Sequence, residues 1–148
     1  MGIADLFKPK WKHSNAQIRA AAVKEMSPEE TEALMAIARE DGDVAVRRVA
    51  VKKITAPEAL MEIARQDPDE GLRQFAEERA LSALVSRAMQ DDEDVATGAL
   101  ALISDDVTLV EIATNADLAP VRLDAVARIA GQKALGEVAR RSTEHAVR

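Results

Sequence analysis

The chain has no cysteine and no tyrosine, only two histidines, and three aromatic residues, Phe7, Trp11 and Phe75. Without cysteine there is no disulfide, no thiol nucleophile and no cysteine metal site. The apolar content is carried by Ala, Leu, Val and Ile, which leaves little basis for β-structure, where aromatic and β-branched residues concentrate. No apolar run approaches the roughly 20 residues that cross a bilayer. The opening Met1-Gly2-Ile3-Ala4-Asp5-Leu6 lacks the cationic and apolar pattern of a secretion signal, and it lacks the hydroxyl residue that myristoylation uses at position six. A cytoplasmic protein without membrane association is expected.

Groups suited to chemistry are also sparse. His13 and His145 stand near opposite ends of the chain, so metal or general-base work would need partners from distant segments. Exposed turn histidines are the expectation. No phosphate-binding glycine motif or nucleophile elbow occurs. Glu29-Glu30 and Asp105-Asp106 are adjacent, and neighbours in sequence do not face each other on a helix; at helix starts they complement the dipole. The run Asp91-Asp92-Glu93-Asp94 has neither the mid-loop glycine nor the twelfth-position glutamate of a calcium loop. Neither cofactor, metal nor catalytic activity is expected.

What the chain does hold is helix-forming material. Its 148 residues suit one domain or one contiguous array, long enough to bury roughly 70% of the unfolded surface. Ala, Leu, Glu, Arg and Lys dominate, the residues of highest helix preference. The class is all-α. A formal net charge of −6 opposes bulk attraction to nucleic acid or anionic lipid, though not a local basic patch.

Self-similarity decides the architecture. A polar turn, an apolar residue followed by Arg, and a helical run recur around Arg19, Arg47, Arg73, Gly98 and Arg122, at intervals of 28, 26, 25 and 24 residues. Each marker opens a helix, B. Val46, Val49, Ala50 and Ile54 have the i, i+3, i+4 spacing of one apolar face, as do Val121, Ala125, Val126 and Ile129. Amphipathic A helices lie between them. The spacing predicts B helices over 15–26, 44–54, 70–80, 95–103 and 119–130, and A helices over 28–39, 57–65, 81–89, 105–113 and 132–141. Helices of about ten residues are marginal alone in water, so hairpins must stack to cover their apolar faces.

The pattern from Asp41 to Arg47, repeated from Asp67 to Arg73, resembles the HEAT repeat in its short bacterial form. The resemblance implies an α-α superhelix, a right-handed HEAT-like solenoid of about five helix pairs, over residues 15–148 behind a capping segment 1–14. It also implies an Asp–Arg ladder between neighbouring turns, assigning a structural role to Asp41, Arg47, Asp67 and Arg73, with Arg19 and Arg122 at the matching positions; Gly98 breaks a rung beside Asp92. The period is shorter than that of eukaryotic HEAT arrays. Leu6-Phe7-Lys8-Pro9-Lys10-Trp11 is similar to the start of a bacterial protein family of unknown function that places such repeats ahead of long charged helices. Ser142 to Arg148 repeats the turn-plus-Val-Arg signature 26 residues beyond Arg122. A sixth B helix is therefore expected to begin there, as in a fragment of a longer protein or an array whose last helix has lost its pairing, because terminal units need a polar outer face.

Three surfaces stand out. In HEAT-like stacks the B helices line the concave side, which makes Arg48, Lys52, Lys53, Arg79 and Arg128 a candidate basic strip; an ordinary solvated face is the alternative. The fourth B helix, Val95 to Ile103, has no charge, so Ala99, Leu102 and Ile103 either pack internally or form an apolar patch for binding or self-association. Lys8, Lys10, Trp11, Lys12 and His13 combine cations with an aromatic, as single-strand binding sites do, but capping of the first repeat by Phe7 and Trp11 also accounts for them. A non-catalytic protein–protein scaffold, its partner another protein or an acidic peptide, is the leading expectation. A nucleic-acid-binding module follows, then an accessory subunit of a pigment-attaching lyase. Self-association through an open end is a further expectation.

Overall fold

A computed structural model describes residues 9–146, with side chains described through residue 143. Phe7, Lys8, Val147 and Arg148 lie outside the described residues, as does the His145 side chain. The chain is all-α. After a 3-10 turn, Lys10–Lys12, come α1 (Ala16–Glu25), α2 (Thr31–Glu40), α3 (Val44–Lys53), α4 (Pro57–Gln66), α5 (Glu70–Ala88), α6 (Glu93–Leu100), α7 (Asp106–Asn115), α8 (Ala119–Arg128) and α9 (Gln132–Ala146). No strand occurs among the described residues.

Local chemistry sets the helix starts. Asn15 accepts from the Gln17 N–H, Asp43 from those of Ala45 and Val46, Asp92 from Val95 and Asp105 from Thr108, each satisfying amides that have no partner within the helix. Pro57 and Pro120 occupy first turns, where no amide donor is needed. The helix ends are less usual. Among the described residues none has positive φ, so no left-handed glycine cap closes a helix. The residues after α1, α2, α3, α4, α7 and α8 turn into extended backbone instead, leaving terminal carbonyls in need of other donors.

The chain forms two compact units, divided between Ala80 and Leu81 inside α5. In the first, α2 packs on α3, α1 lies beside α3, and α2 beside α4, giving one row of B helices and one of A helices. Its core runs through Val23, Leu34, Ile37, Val46, Val51, Leu60, Ile63 and Leu72, all buried. Trp11 packs against this core from the opening turn. Burying each Leu or Ile contributes roughly 1.5–3 kcal/mol, and no hairpin alone supplies the covering neighbours. In the second unit α7 packs on α8, α7 beside α9 and α6 beside α8. Leu84, Leu100, Leu109, Ile112 and Val121 are buried there.

Two predicted boundaries move. The segments 70–80 and 81–89 are one continuous helix, because Arg79-Ala80-Leu81-Ser82 contains no Gly, Pro or Asp to stop it, unlike the turns at Pro28, Pro57 and Gly131. Likewise α9 runs through to Ala146, so Ser142 to Glu144 form helix rather than the turn that would begin a sixth B helix. Thr143 donates its hydroxyl to the Ala139 carbonyl and stays within the helix.

The second unit has a clamp of its own. Asp106 accepts from the Ala130 N–H (3.2 Å) and the Gly131 N–H (2.9 Å), tying the start of α7 to the turn before α9. A Cβ at Gly131 would lie 2.6 Å from that carboxylate and displace it from both donors. Gly131→Ala is therefore expected to lower the unfolding free energy by about 1–3 kcal/mol, whereas Gly98→Ala, in the exposed middle of α6 with open space around it, raises it by about 0.5–1 kcal/mol. Urea titration of both variants measures the two shifts.

Candidate functional site

The marker arginines organise the turns. Arg19 donates from Nη1 to the carbonyls of His13 (2.9 Å) and Ser14 (3.0 Å), six and five residues back. Arg47 repeats this on Asp41 (3.0 Å), Arg73 on Asp67 (2.8 Å) and Pro68 (3.2 Å), and Arg122 on Ala116 and Asp117 (both 2.7 Å). In two of them the opposite edge grips the following turn. The Nε and Nη2 of Arg19 meet both Asp41 oxygens at 2.7 and 2.8 Å, and those of Arg47 meet Asp67 at 2.8 and 2.9 Å. Asp41 and Asp67 also accept from the backbone two residues on. In the first unit, then, Arg19, Asp41, Arg47, Asp67 and Arg73 form one linked series.

Counting six residues back from each marker gives His13, Asp41, Asp67, Asp92 and Ala116. In the second unit both members of one rung are absent together, since Gly98 replaces the donor and buried Ala116 the acceptor. His13 is half-buried, and its Nδ1 accepts from the Asn15 N–H at 2.9 Å. It belongs to the opening turn.

The five candidate cations divide into different roles. Lys53 Nζ donates to the carbonyl of Met26, the residue capping the end of α1, at 2.7 Å. Arg79 Nη2 does the same to Ile54 at the end of α3, at 3.2 Å. Both supply the donors that the glycine-free helix ends require, at the end of the dipole that favours a cation. They stitch one B helix to the next. The Nε of Arg79 is enclosed without an acceptor among the described residues. Arg128 pairs with Asp124 on its own helix at 3.1 Å.

Arg48 and Lys52 remain for the surface. Both are exposed, one turn apart on α3, a helix with no acidic residue. The Arg48 guanidinium lies 4.2 Å from the Phe75 ring centroid, with that of Arg79 at 6.0 Å, a cation–π geometry. Among the described residues neither Arg48 nor Lys52 has a carboxylate partner, whereas Arg39 pairs with Glu62, and Arg140 and Arg141 with Glu137. Phe75 as platform was not foreseen; the signal is its place one turn before Arg79.

The apolar candidates fare differently. Ala99 and Ile103 are buried and only Leu102 is exposed, at 43%, so the three do not make a patch. The helix also begins earlier than expected, and Glu93 and Asp94 lie in its first turn. At the amino end Lys12 Nζ sits 4.5 Å over the Trp11 ring, occupying a face that a base would need. Among the described residues no group of His, Asp or Glu is placed to hold a metal ion, and no helix is long and apolar enough to cross a membrane. No protein-family model, curated protein or solved structure matches this chain.

The rungs make two measurable demands. The side chains of Arg47 and Asp67 are only 8% and 3% exposed, so removing one partner strands a buried charge. Asp67→Ala is expected to cost about 3–5 kcal/mol, and adding Arg47→Met should cost little more, a non-additivity read from a double-mutant cycle. Burial raises the Asp41 pKa, but the hydrogen bonds from Arg19 and the Asp43 N–H and the charges of Arg19 and Arg47 outweigh it, holding this carboxyl below its ordinary value. The hydrogen bond from each Arg to its Asp likewise holds Arg19 and Arg47 above theirs. A folded value below the unfolded one means stability present above the ordinary carboxylate range and lost as pH falls through the folded value. In Asp41→Asn, stability measured from pH 6 downward should therefore fall less steeply than in the parent chain.

Proposed function

We propose that this chain is a non-catalytic HEAT-like interaction scaffold of a bacterial cytoplasm, holding an acidic segment of another protein on the B-helix row of its first unit. The observation that carries the proposal is the pair Arg48 and Lys52, exposed side by side without carboxylates on a chain of net charge −6. Contact with Phe75 restrains the Arg48 guanidinium, which reduces the side-chain entropy lost when a carboxylate binds. Lys53 and Arg79, anchored on helix-end carbonyls nearby, add positive potential. The non-catalytic part rests on composition, with two histidines and no cysteine.

Exposed ion pairs contribute only about 0.2–1 kcal/mol each, so the partner must offer several acids in one stretch, and its affinity must fall with salt. A fluorescent Glu-rich peptide titrated against the full chain tests this by anisotropy. The double variant Arg48→Glu/Lys52→Glu is expected to weaken binding at least about tenfold, with its melting temperature little changed. Equal affinity of parent and variant sinks the proposal. Tighter binding of a single-stranded oligonucleotide than of the peptide at about 50 mM salt, where phosphate contacts are strongest, replaces it with the nucleic-acid reading.

A further inference from the structure

The B-helix row of the first unit carries an order of charge as well as an excess. Lys53 and Arg79 stand six residues beyond the markers Arg47 and Arg73, and they reach back to the carbonyls of Met26 and Ile54, each seven beyond the marker of its own helix. The same donor position thus meets the same acceptor position at both junctions, which sets α1, α3 and the first part of α5 in one register. Five residues beyond the markers stand Lys24, Lys52 and Glu78, side by side across the row. All three are exposed, and among the described residues none has a partner of opposite charge.

Arg48 adds a second cation to α3, one turn before Lys52 and held over Phe75. The matching residues are Ala20 on α1 and exposed Gln74 on α5, neither of them charged. Glu25 shares the position of Lys53 and Arg79, whose side chains reach back toward the preceding helix, so it lies on the side of α1 away from α3. Across the row the available charge therefore runs positive on α1, positive on α3 and negative on α5. No apolar stripe lies among these positions to receive an amphipathic helix. Neighbouring helices pack about 8–10 Å apart and an extended chain advances about 3.3 Å per residue, so each helix meets roughly three residues of a segment laid across the row.

We infer that Glu78 is the specificity-determining residue of this row, and that the segment bound there is extended, acidic over α1 and α3, and closed by a Lys or Arg over α5. The inference rests on the reading of Arg48 and Lys52 as the acid-binding pair, and it adds a length and an end to the segment they hold. A run of acids much longer than about six residues sets a carboxylate against Glu78, and like-charge contacts of this kind reject wrong partners. A basic residue at that point turns the repulsion into an ion pair.

Three fluorescent peptides titrated against the full chain by anisotropy, at about 50 mM salt to limit screening, test this. One has six glutamates followed by two lysines, the second has the same residues with the lysines in the middle, and the third has eight glutamates. The parent chain is expected to bind the first at least about threefold more tightly than the second, although their net charges are equal. Glu78→Lys should weaken the first peptide and tighten the third, each by at least about threefold, whereas a general gain of positive charge would tighten both. Lys24→Glu should weaken both. These sites are exposed, so melting temperatures should stay unchanged. Equal binding of the two isomers, Glu78→Lys acting on the first and third peptides in the same direction or on neither, or Lys24→Glu without effect would each overturn the inference. The acid-binding reading survives those outcomes if Arg48→Glu/Lys52→Glu still weakens the peptides. No binding of any peptide overturns both.

Discussion

Helix ends impose the constraint from which the rest follows. An α-helix leaves its last carbonyls without amide donors, and the usual remedy, a left-handed glycine, is not used by any described residue here. The chain instead supplies donors from side chains one repeat away or one turn on. Marker arginines cover the carbonyls that precede α1, α3, α5 and α8, and Lys53 and Arg79 cover the ends of α1 and α3. Because each donor must lie beside a neighbouring turn, satisfying the backbone also sets the register between hairpins.

That arrangement separates structural cations from available ones. A guanidinium bonded on both edges, such as Arg47, has no capacity left for a partner. A lysine on a helix-end carbonyl, such as Lys53, can leave only by exposing an orphan acceptor. Arg48 and Lys52 carry no such obligation, and their charge remains available at the surface. In the second unit the same surface positions hold Leu123 and Ala127, so the two units offer different chemistry on equivalent helices. Repeats allow this, since the residues that hold the turn are not those that face the solvent.

Much of the fold was legible from residue spacing. The markers at 19, 47, 73, 98 and 122 each lie in the first turn or near the middle of a B-row helix, and the A segments around 31–40, 57–66 and 106–115 form as separate helices. Failures occurred where punctuation was weak. Nothing between Arg79 and Ser82 stops a helix, and Ser142-Thr143 can bond back into one, so a period alone suggested turns that the chain does not make. The candidate strip was legible only as a set of charges. Which of them were engaged depended on carbonyls 25 and 27 residues away in sequence, and local patterns carry no information about such partners.

By itself the sequence determined the helical class, the spacing of the marker turns and the lack of thiol chemistry, because all of these are properties of short windows or of composition. Tertiary structure alone decided that Lys53 and Arg79 close helix ends, that Phe75 lies under Arg48, and that Ala99 and Ile103 are core. The physical reason is distance along the chain: a donor's partner is set by which turn packs beside it, and packing follows from burying the apolar faces of whole hairpins rather than from any one residue's preference.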